Sequence, residues 1–286
     1  MDIKKRSLPR RLLCGILGLS LVLSLCACGR KTKQTDTLCL GIDVARYQGT
    51  IGWKSVAEAG VKFAMVRLGY RTAKDGVITE DSNARYNLQE ASKAGIPVGG
   101  YFFSTAVSEE EAQEEAQWVA ELVAKYPITY PIVFDCEGFD DPESRQKNMT
   151  AQERTDVALA FLKQIKKLGY EGMFYASKSE LEDRWETKRI EKRYKIWVAQ
   201  YPEEPYPNTP APGYEGKYDM WQYSKAFRIA GISTDVDMNL ALFAYDGIEP
   251  AKDPEPPEEV GPDPEAMMAF REVEETVTAK ERTNLR

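Results

Sequence analysis

Short apolar segments recur through the middle of the chain, each rich in β-branched or aromatic residues and bounded by glycine, proline or charged residues. Segments of this length and composition are typical of buried β-strands. The pattern therefore predicts eight strands, at residues 38–44, 61–69, 96–103, 130–137, 172–177, 195–201, 218–224 and 236–242.

Helical patterns fill three of the intervals between the early strands, at residues 79–94, 108–125 and 150–169. Ser108 and Thr150 are suited to cap the second and third helices at their amino ends. Alternation of strands and helices favours a parallel sheet, and eight strands over about 205 residues favour a closed barrel. The later connections are less helical, so the predicted α/β barrel is irregular in its second half.

The amino terminus has the order of a secretory signal. Residues 2–11 are basic and an apolar run follows to about residue 25, as in the first two regions of a signal peptide. At about 14 residues this run is shorter than the roughly 20 that a membrane-spanning helix needs. The run closes in the letters LCAC, which resemble the bacterial lipobox and would make Cys28 the lipidated first residue of the mature chain. The alternative is an ordinary signal peptide and a secreted protein.

These features divide the chain into five segments. We predict a lipoprotein signal peptide over residues 1–27, a flexible tether over 28–37 and a folded domain over 38–246. Residues 247–264 are rich in proline and acidic residues, which predicts an extended linker. The tail, residues 265–286, either forms a short helix or is the truncated start of a bacterial SH3-like domain, whose first strand it resembles.

Composition restricts the chemistry. The sequence contains no histidine, which excludes a Ser-His-Asp triad, a Cys-His pair, a His-ligated zinc ion and a histidine general base. Lys and Arg number 38 against 45 Asp and Glu, a net charge of −7, so nucleic acid is not an expected partner. Acid–base chemistry near neutral pH would then depend on carboxylates, Tyr, Lys or Cys.

Four acidic residues lie at the ends of predicted strands: Asp43, Asp135, Glu137 and Asp237. A single acidic residue at a strand end is usually just solvated, but functional groups of a β/α barrel collect at the carboxyl ends of its strands. Asp135 and Glu137 point to the same side of one strand, with Cα atoms roughly 6.5–7 Å apart. Paired carboxylates are what glycoside hydrolysis uses. Flat or polar side chains suited to sugar rings lie near other strand ends: Tyr101, Tyr175, Trp197 and Gln222.

The two cysteines of the predicted barrel, Cys39 and Cys136, would normally suggest a disulfide in an exported protein. Cys39 lies four residues before Asp43, roughly 13 Å toward the opposite end of the barrel. Cys136 lies between two inward-pointing carboxylates and should face outward. Because a disulfide needs Cα atoms within about 7 Å, we predict two buried free thiols, and the outward direction also argues against Cys136 as a nucleophile.

A series of landmarks resembles glycoside hydrolase family 25, the Chalaropsis-type lysozymes, over about residues 38–245. The landmarks are residues 41–49 followed by Trp53, 63–71, 94–103, the DxE of 134–138, 196–201, 221–224 and 231–239. The resemblance implies a flattened, irregular TIM-like β/α barrel with eight strands and fewer helices. It also implies N-acetylmuramidase activity on the β-1,4 bonds of peptidoglycan.

Roles follow from the resemblance by position. Glu137 resembles the general acid/base, Asp135 its partner, and Asp43 and Asp237 the flanking carboxylates, with net retention assisted by the substrate. Residues expected to contact the glycan are Tyr47, Arg67, Tyr101, Tyr175, Trp197 and Gln222. The resemblance implies binding of peptidoglycan strands. The lack of histidine and the separation of the two cysteines predict that there is no metal or organic cofactor. We also expect a monomer, and the lipobox-like segment predicts that a lipid at Cys28 holds it on the outer face of the cytoplasmic membrane.

Three positions depart from the pattern that many members of this family share: Phe102 stands in place of a histidine, Gly52 in place of an aspartate before Trp53, and Cys136 is the middle residue of the DxE. None removes a carboxylate. Two alternatives to an enzyme stay open. One is a barrel of the same fold that only binds wall glycan, and the other is a solute-binding lipoprotein of an importer, a class that has two lobes and a longer chain.

Overall fold

The computed structural model describes residues 38–244. The strands in this range are β1 (Cys39–Val44), β2 (Phe63–Arg71), β3 (Ile78–Glu80), β4 (Val98–Phe103), β5 (Ile128–Asp135), β6 (Gly172–Ser177), β7 (Lys195–Ala199), β8 (Met220–Phe227) and β9 (Val236–Ala241). The helices are α1 (Trp53–Glu58), α2 (Ala84–Lys93), α3 (Glu109–Val123), α4 (Ala151–Lys167), α5 (Lys178–Asp183) and α6 (Thr187–Glu191).

The predicted signal peptide, Cys28, the tether, the linker and the tail lie outside the described residues. None of the helices within residues 38–244 is long and apolar enough to cross a membrane.

The sheet closes on itself. Strands pair in the order β1-β9-β8-β7-β6-β5-β4-β2, and β2 pairs back to β1, while β3 adds to the side of β2. All eight predicted strands are therefore present in one barrel with few helices, which confirms the predicted fold. This single barrel is not the two-lobed architecture expected of a solute-binding lipoprotein.

The expectation of a fully parallel sheet is wrong at β9, which runs antiparallel to both of its neighbours, β1 and β8. A parallel crossover needs a dozen or more residues, whereas only residues 228–235 join β8 to β9. The amino end of β9 consequently lies beside the carboxyl ends of the other strands. Asp237, near the start of β9, thus becomes the register partner of Asp43, near the end of β1.

The predicted helix over residues 79–94 is wrong in its first turn. Residues 78–80 form β3 instead, and α2 begins only at Ala84. Asp81 explains the break, because its carboxylate accepts hydrogen bonds from the backbone N–H of Asn83 at 2.9 Å and from Nε of Arg67 at 2.7 Å. These bonds fix a turn and tie it to β2.

The caps predicted for the next two helices are confirmed. The Ser108 hydroxyl accepts the backbone N–H of Glu111 at 3.2 Å at the start of α3. Thr150 and Glu153 form a reciprocal capping box at the start of α4, in which each side chain satisfies a backbone N–H of the other.

The barrel has an outer core under the helices and a separate inner core. Cys136 belongs to the outer core and its thiol lies 3.4 Å from Oε1 of Gln146, whereas Cys39 belongs to the inner core and accepts the Tyr130 hydroxyl at 3.7 Å. Both are buried free thiols, as predicted. Burial raises the pKa of Cys39 to about 11 and raises that of Cys136 further, so both stay protonated near neutral pH.

Gly41 makes room for this inner core. A Cβ at Gly41 would lie 2.4 Å from the ring of Phe63, so only glycine lets that ring fill the barrel below Asp43.

Candidate active site

The four predicted carboxylates come together at one mouth of the barrel. Asp43 and Asp237 are opposite each other on β1 and β9, and Asp135 is the last residue of β5. Glu137 lies two residues beyond the end of β5, on the following loop, rather than on the strand as predicted. It is the most exposed of the four, whereas Asp43 and Asp135 are both buried.

The cleft at this mouth has two lobes that share the four carboxylates and Tyr101. The arginine lobe, of about 420 Å³, is also lined by Arg46, Tyr47, Arg67 and Tyr70. The tryptophan lobe, of about 240 Å³, is also lined by Tyr175, Trp197, Tyr201, Gln222 and Lys225. A cleft that continues on both sides of the carboxylates suits a polymer held on each side of the bond that reacts.

The ten residues predicted from the sequence as catalytic or glycan-contacting all line this cleft. Arg67 lies 4.7 Å from the centre of the exposed Tyr47 ring, and Trp197 makes edge-to-face contacts with Tyr101 at 6.4 Å and Tyr175 at 4.9 Å. These contacts fix the flat walls of the cleft.

Sequence reasoning missed several residues of the site: Arg46, Tyr70, Asn239, Tyr201 and Lys225. Asn239 had a usable signal, because it lies two residues after Asp237 and therefore points to the same side of β9. Tyr201 comes after β7 has ended, so strand alternation does not specify its direction.

A relay of hydrogen bonds holds Asp43. Its Oδ2 accepts the amide N–H groups of Gln222 at 2.9 Å and Asn239 at 2.7 Å. Oε1 of Gln222 in turn accepts the hydroxyls of Tyr175 at 3.0 Å and Tyr201 at 2.6 Å. Because the tyrosine hydroxyls occupy Oε1, Gln222 must present its donor to Asp43.

The backbone around Asp135 and the loop that carries Glu137 are held from the outside. The N–H of Ser104 donates to the carbonyl of Asp135 at 2.7 Å. Gln146, which is buried, contacts the thiol of Cys136 and donates to the carbonyl of Ala106 at 2.9 Å. These hydrogen bonds restrain the backbone that carries the Asp135 and Glu137 side chains.

Comparison with known proteins decides the family. The family model for glycosyl hydrolases family 25 matches residues 42–232, about two thirds of the chain. The chain belongs to glycosyl hydrolase family 25. The resemblance drawn from the sequence landmarks is thereby confirmed.

Individual similar proteins support the assignment to family 25. Lysozyme M1 of Streptomyces globisporus is 28% identical over 206 residues, which are 70% of this chain and 66% of that protein. The modular autolysin LytC from Streptococcus pneumoniae superimposes with a TM-score of 0.60 at 26% identity, over 73% of this chain and 47% of LytC. A bacterial lysozyme from Streptomyces coelicolor has the same fold, with a TM-score of 0.57 at 24% identity over 73% of this chain and 93% of that one. This chain thus spans slightly less than two thirds of lysozyme M1 and about half of LytC.

The pKa values of the four carboxyl groups in the family 25 cleft are all raised. Burial raises the pKa of Asp43 to about 6, although its hydrogen bonds from Asn239 and Gln222 oppose the shift. Burial and the charge of Asp43 raise the pKa of Asp237 to about 8. Two facing carboxylates cannot both ionise cheaply, so this pair retains a proton near neutral pH.

The second pair behaves in the same way. Burial, followed by the charge of Glu137, raises the pKa of Asp135 well above its usual range. The pKa of Glu137 is also raised, because protein surrounds its carboxyl group even though the residue reaches solvent, and the charges of Glu180 and Asp43 add to the effect. The two groups therefore favour holding one shared proton; when Glu137 carries it, Asp135 is ionised, and a carboxyl group with a raised pKa is a suitable proton donor.

One atom of this pair has no partner. Oδ1 of Asp135 is buried and accepts no hydrogen bond from any residue in the described part of the chain. A buried acceptor without a donor is costly. In this cleft, the missing donor is one that a bound molecule can supply.

Asp237→Asn should stabilise the family 25 domain in alkaline solution. A carboxyl group whose pKa is raised by folding binds more protons in the native state than in the unfolded state, so its contribution to stability falls as pH rises from about 4 toward 8. The amide removes this penalty. We expect the melting temperature of the variant, relative to the wild type, to be about 2–4 °C higher at pH 8 than at pH 5. The same difference at both pH values in calorimetry would contradict the raised pKa of Asp237.

Proposed function

We propose that this chain is a peptidoglycan hydrolase that cleaves the β-1,4 bond between N-acetylmuramic acid and N-acetylglucosamine. The observation that carries the proposal is the pair Asp135 and Glu137 at the junction of two lobes with aromatic walls. Membership of family 25 supports it, as do relatives named as a lysozyme and an autolysin. LytC has also been solved in complex with a synthetic peptidoglycan ligand, and superimposes on this chain with a TM-score of 0.58 at 27% identity.

In this mechanism, Glu137 donates its proton to the glycosidic oxygen as the bond to the anomeric carbon breaks. Its raised pKa and its exposed position at the centre of the cleft suit that role. The carbonyl oxygen of the sugar's own 2-acetamido group bonds to the anomeric carbon and forms a cationic ring. Oδ1 of Asp135 accepts the acetamido N–H and stabilises that positive charge. Water, deprotonated by Glu137, then opens the ring.

Asp43 and Asp237 flank the reacting pair in this proposal. The relay from Tyr175 and Tyr201 through Gln222 holds Asp43 in place. The shared proton between Asp43 and Asp237 limits the negative charge that Asp135 and Glu137 face, which keeps the cleft from becoming too anionic for its substrate.

The stereochemical prediction is net retention without a glycosyl-enzyme ester. Two inversions at the anomeric carbon, first by the acetamido oxygen and then by water, restore the β configuration. Proton NMR of the first-formed reducing sugar should show the β-anomer before mutarotation. An initial α-anomer, or a trapped ester on any of the four carboxylates, would exclude the neighbouring-group route.

A wall-binding protein of the same fold is the second candidate, and a sedimentation assay separates the two. Both candidates predict that the wild type and Glu137→Gln pellet with insoluble peptidoglycan. Only a hydrolase reduces the turbidity of the suspension, and Glu137→Gln should then bind without doing so. Binding by the wild type with no loss of turbidity would favour the binding protein.

For location, we propose an exported protein held on the outer face of the cytoplasmic membrane by a lipid at Cys28, with residues 38–246 as the catalytic domain and 247–264 as a linker. The lipobox-like LCAC and the basic and apolar segments before it support this arrangement. Cys28→Ala should move the protein from the membrane fraction to the medium or leave it unprocessed. Unchanged membrane association with a wild-type mass for the mature chain would contradict lipidation.

A further inference from the structure

The cleft that would bind the glycan is lined by four acidic residues, Asp43, Asp135, Glu137 and Asp237. Any negative charge carried by a bound molecule would be repelled by those that are ionised. Muramic acid differs from glucosamine by a 3-O-lactyl group that ends in a carboxyl group. A cleft that takes muramic acid as the free acid therefore needs a cation at the place where this group lies.

The two cations of the arginine lobe already have partners of different kinds in the protein. Arg67 is bound to Asp81, with both Nε and Nη2 at 2.7 Å from Oδ2 of that carboxylate. Arg46 lies between the rings of Tyr47 and Tyr70, at 5.3 and 5.6 Å from their centres, and donates to the Tyr70 hydroxyl at 3.4 Å. Arg67 is thus neutralised by Asp81, whereas Arg46 is exposed, has no ion-pair partner among the described residues, and is held by two rings and one hydroxyl.

Lys225 occupies a different environment in the tryptophan lobe. It is exposed, and it is the only cation among the described residues that line this lobe. Its Nζ lies 5.3 Å from the centre of the Tyr201 ring, which the hydrogen bond to Gln222 holds in place. Within residues 38–244, no carboxylate lies within ion-pair distance of this ammonium group. Its charge still reaches the acidic cluster, since it opposes the rise in the pKa of Asp237.

We infer that Lys225 is a specificity-determining residue that binds the free carboxylate of the lactyl group of muramic acid in the tryptophan lobe. This inference rests on the proposed function and adds a preference for anionic over neutral glycans at the same site. The ammonium group supplies the donor, and Tyr201 restricts where it can lie.

Two glycan substrates that differ only in the charge of the lactyl group measure the contribution of that charge to binding. Glycan strands stripped of peptides carry free lactyl carboxylates, and methylamidation of the same strands removes the charge while keeping the sugar backbone. Dissociation constants for both strands are measured by calorimetry in the full chain with Glu137→Gln, which prevents turnover during titration. We expect the free-acid strands to bind about fivefold more tightly than the amidated strands, as for a favourable partly exposed ion pair.

Three further variants in the same background locate the source of the preference. Lys225→Gln should reduce the ratio of the two dissociation constants to about 1, whereas Lys225→Arg should preserve most of it. Lys192→Gln removes the same charge from an exposed residue before β7, at the opposite end of the barrel, and should keep the ratio. A role exerted only through the pKa of Asp237 predicts the opposite change, because loss of Lys225 would leave Asp237 less ionised and less repulsive to the free-acid strands, which would increase the ratio.

The inference is overturned if the Glu137→Gln parent binds both strands with equal affinity, if Lys225→Gln keeps the preference, or if Arg46→Gln rather than Lys225→Gln abolishes it. Failure of the parent to bind either strand would contradict the proposed function itself, and the role of Lys225 with it. The two failures are therefore distinguishable.

Discussion

Replacing Glu137 by glutamine is expected to lower the rate of peptidoglycan hydrolysis by about 10²–10⁴-fold, the usual contribution of a general acid. The amide has nearly the same shape but has no acidic proton to give to the leaving oxygen. Because Glu137 is on a loop at the mouth and not in the core, the variant should fold normally. The rate of release of soluble fragments from purified peptidoglycan, with circular dichroism as a check on folding, measures both effects.

Glu143→Gln is the matched control. Glu143 is an exposed residue of the same loop, so the substitution makes the same chemical change without touching the cleft, and it should keep full activity. If Glu137→Gln retained more than about a tenth of the wild-type rate, proton donation by Glu137 would be ruled out.

Asp135→Asn should lower kcat by about 10²–10³-fold, the range seen when a group that stabilises a transition-state charge is removed. The amide is neutral, so it cannot balance the positive charge that develops on the acetamido ring. KM should change much less than kcat, because the interaction strengthens only as the charge appears. Asp75→Asn, at an exposed turn residue, serves as the control.

Two results would argue against this role for Asp135. A large rise in KM with an unchanged kcat would make it a binding residue alone. Recovery of the Asp135→Asn variant by added azide, with inversion of configuration, would instead indicate that Asp135 acts as a nucleophile or a base.

The barrel could be predicted from the sequence because strand signals are local. Each strand is a short apolar run with a clear boundary, and Ser108 and Thr150 mark helix starts through hydrogen bonds to residues three positions away. The absence of a disulfide could also be predicted, because side chains alternate along a strand. Since Asp135 faces inward, Cys136 must face outward.

The errors arose where distant contacts override local pattern. The sequence pattern predicts a helix from residue 79, yet residues 78–80 pair with the end of β2 as a strand, and the bond between Asp81 and Arg67 fixes the turn that follows. The direction of β9 depends on the short connection after β8, and it is this reversal that brings Asp237 to Asp43.

Within the site, too, local sequence pattern predicts some residues and distant contacts place the others. Inward-facing strand residues such as Tyr175 and Gln222 could be assigned to the cleft by alternation and by family resemblance. Neither alternation nor family resemblance predicts that Tyr201 and Lys225 line the cleft. Their placement depends on how the chain leaves β7 and how far β8 extends beyond the barrel mouth. Their hydrogen-bond and ring contacts emerge only in three dimensions.

Identification of the new reducing ends tests the central claim most directly. Purified peptidoglycan is digested to completion with the full chain, the products are reduced with borohydride, and the sugar alcohols are identified by mass spectrometry after acid hydrolysis. Cleavage of the proposed bond predicts muramitol as the alcohol formed, absent from a parallel digest with Glu137→Gln. Glucosaminitol as the product, or no new sugar alcohol, would contradict the assignment of this family 25 chain as a muramidase.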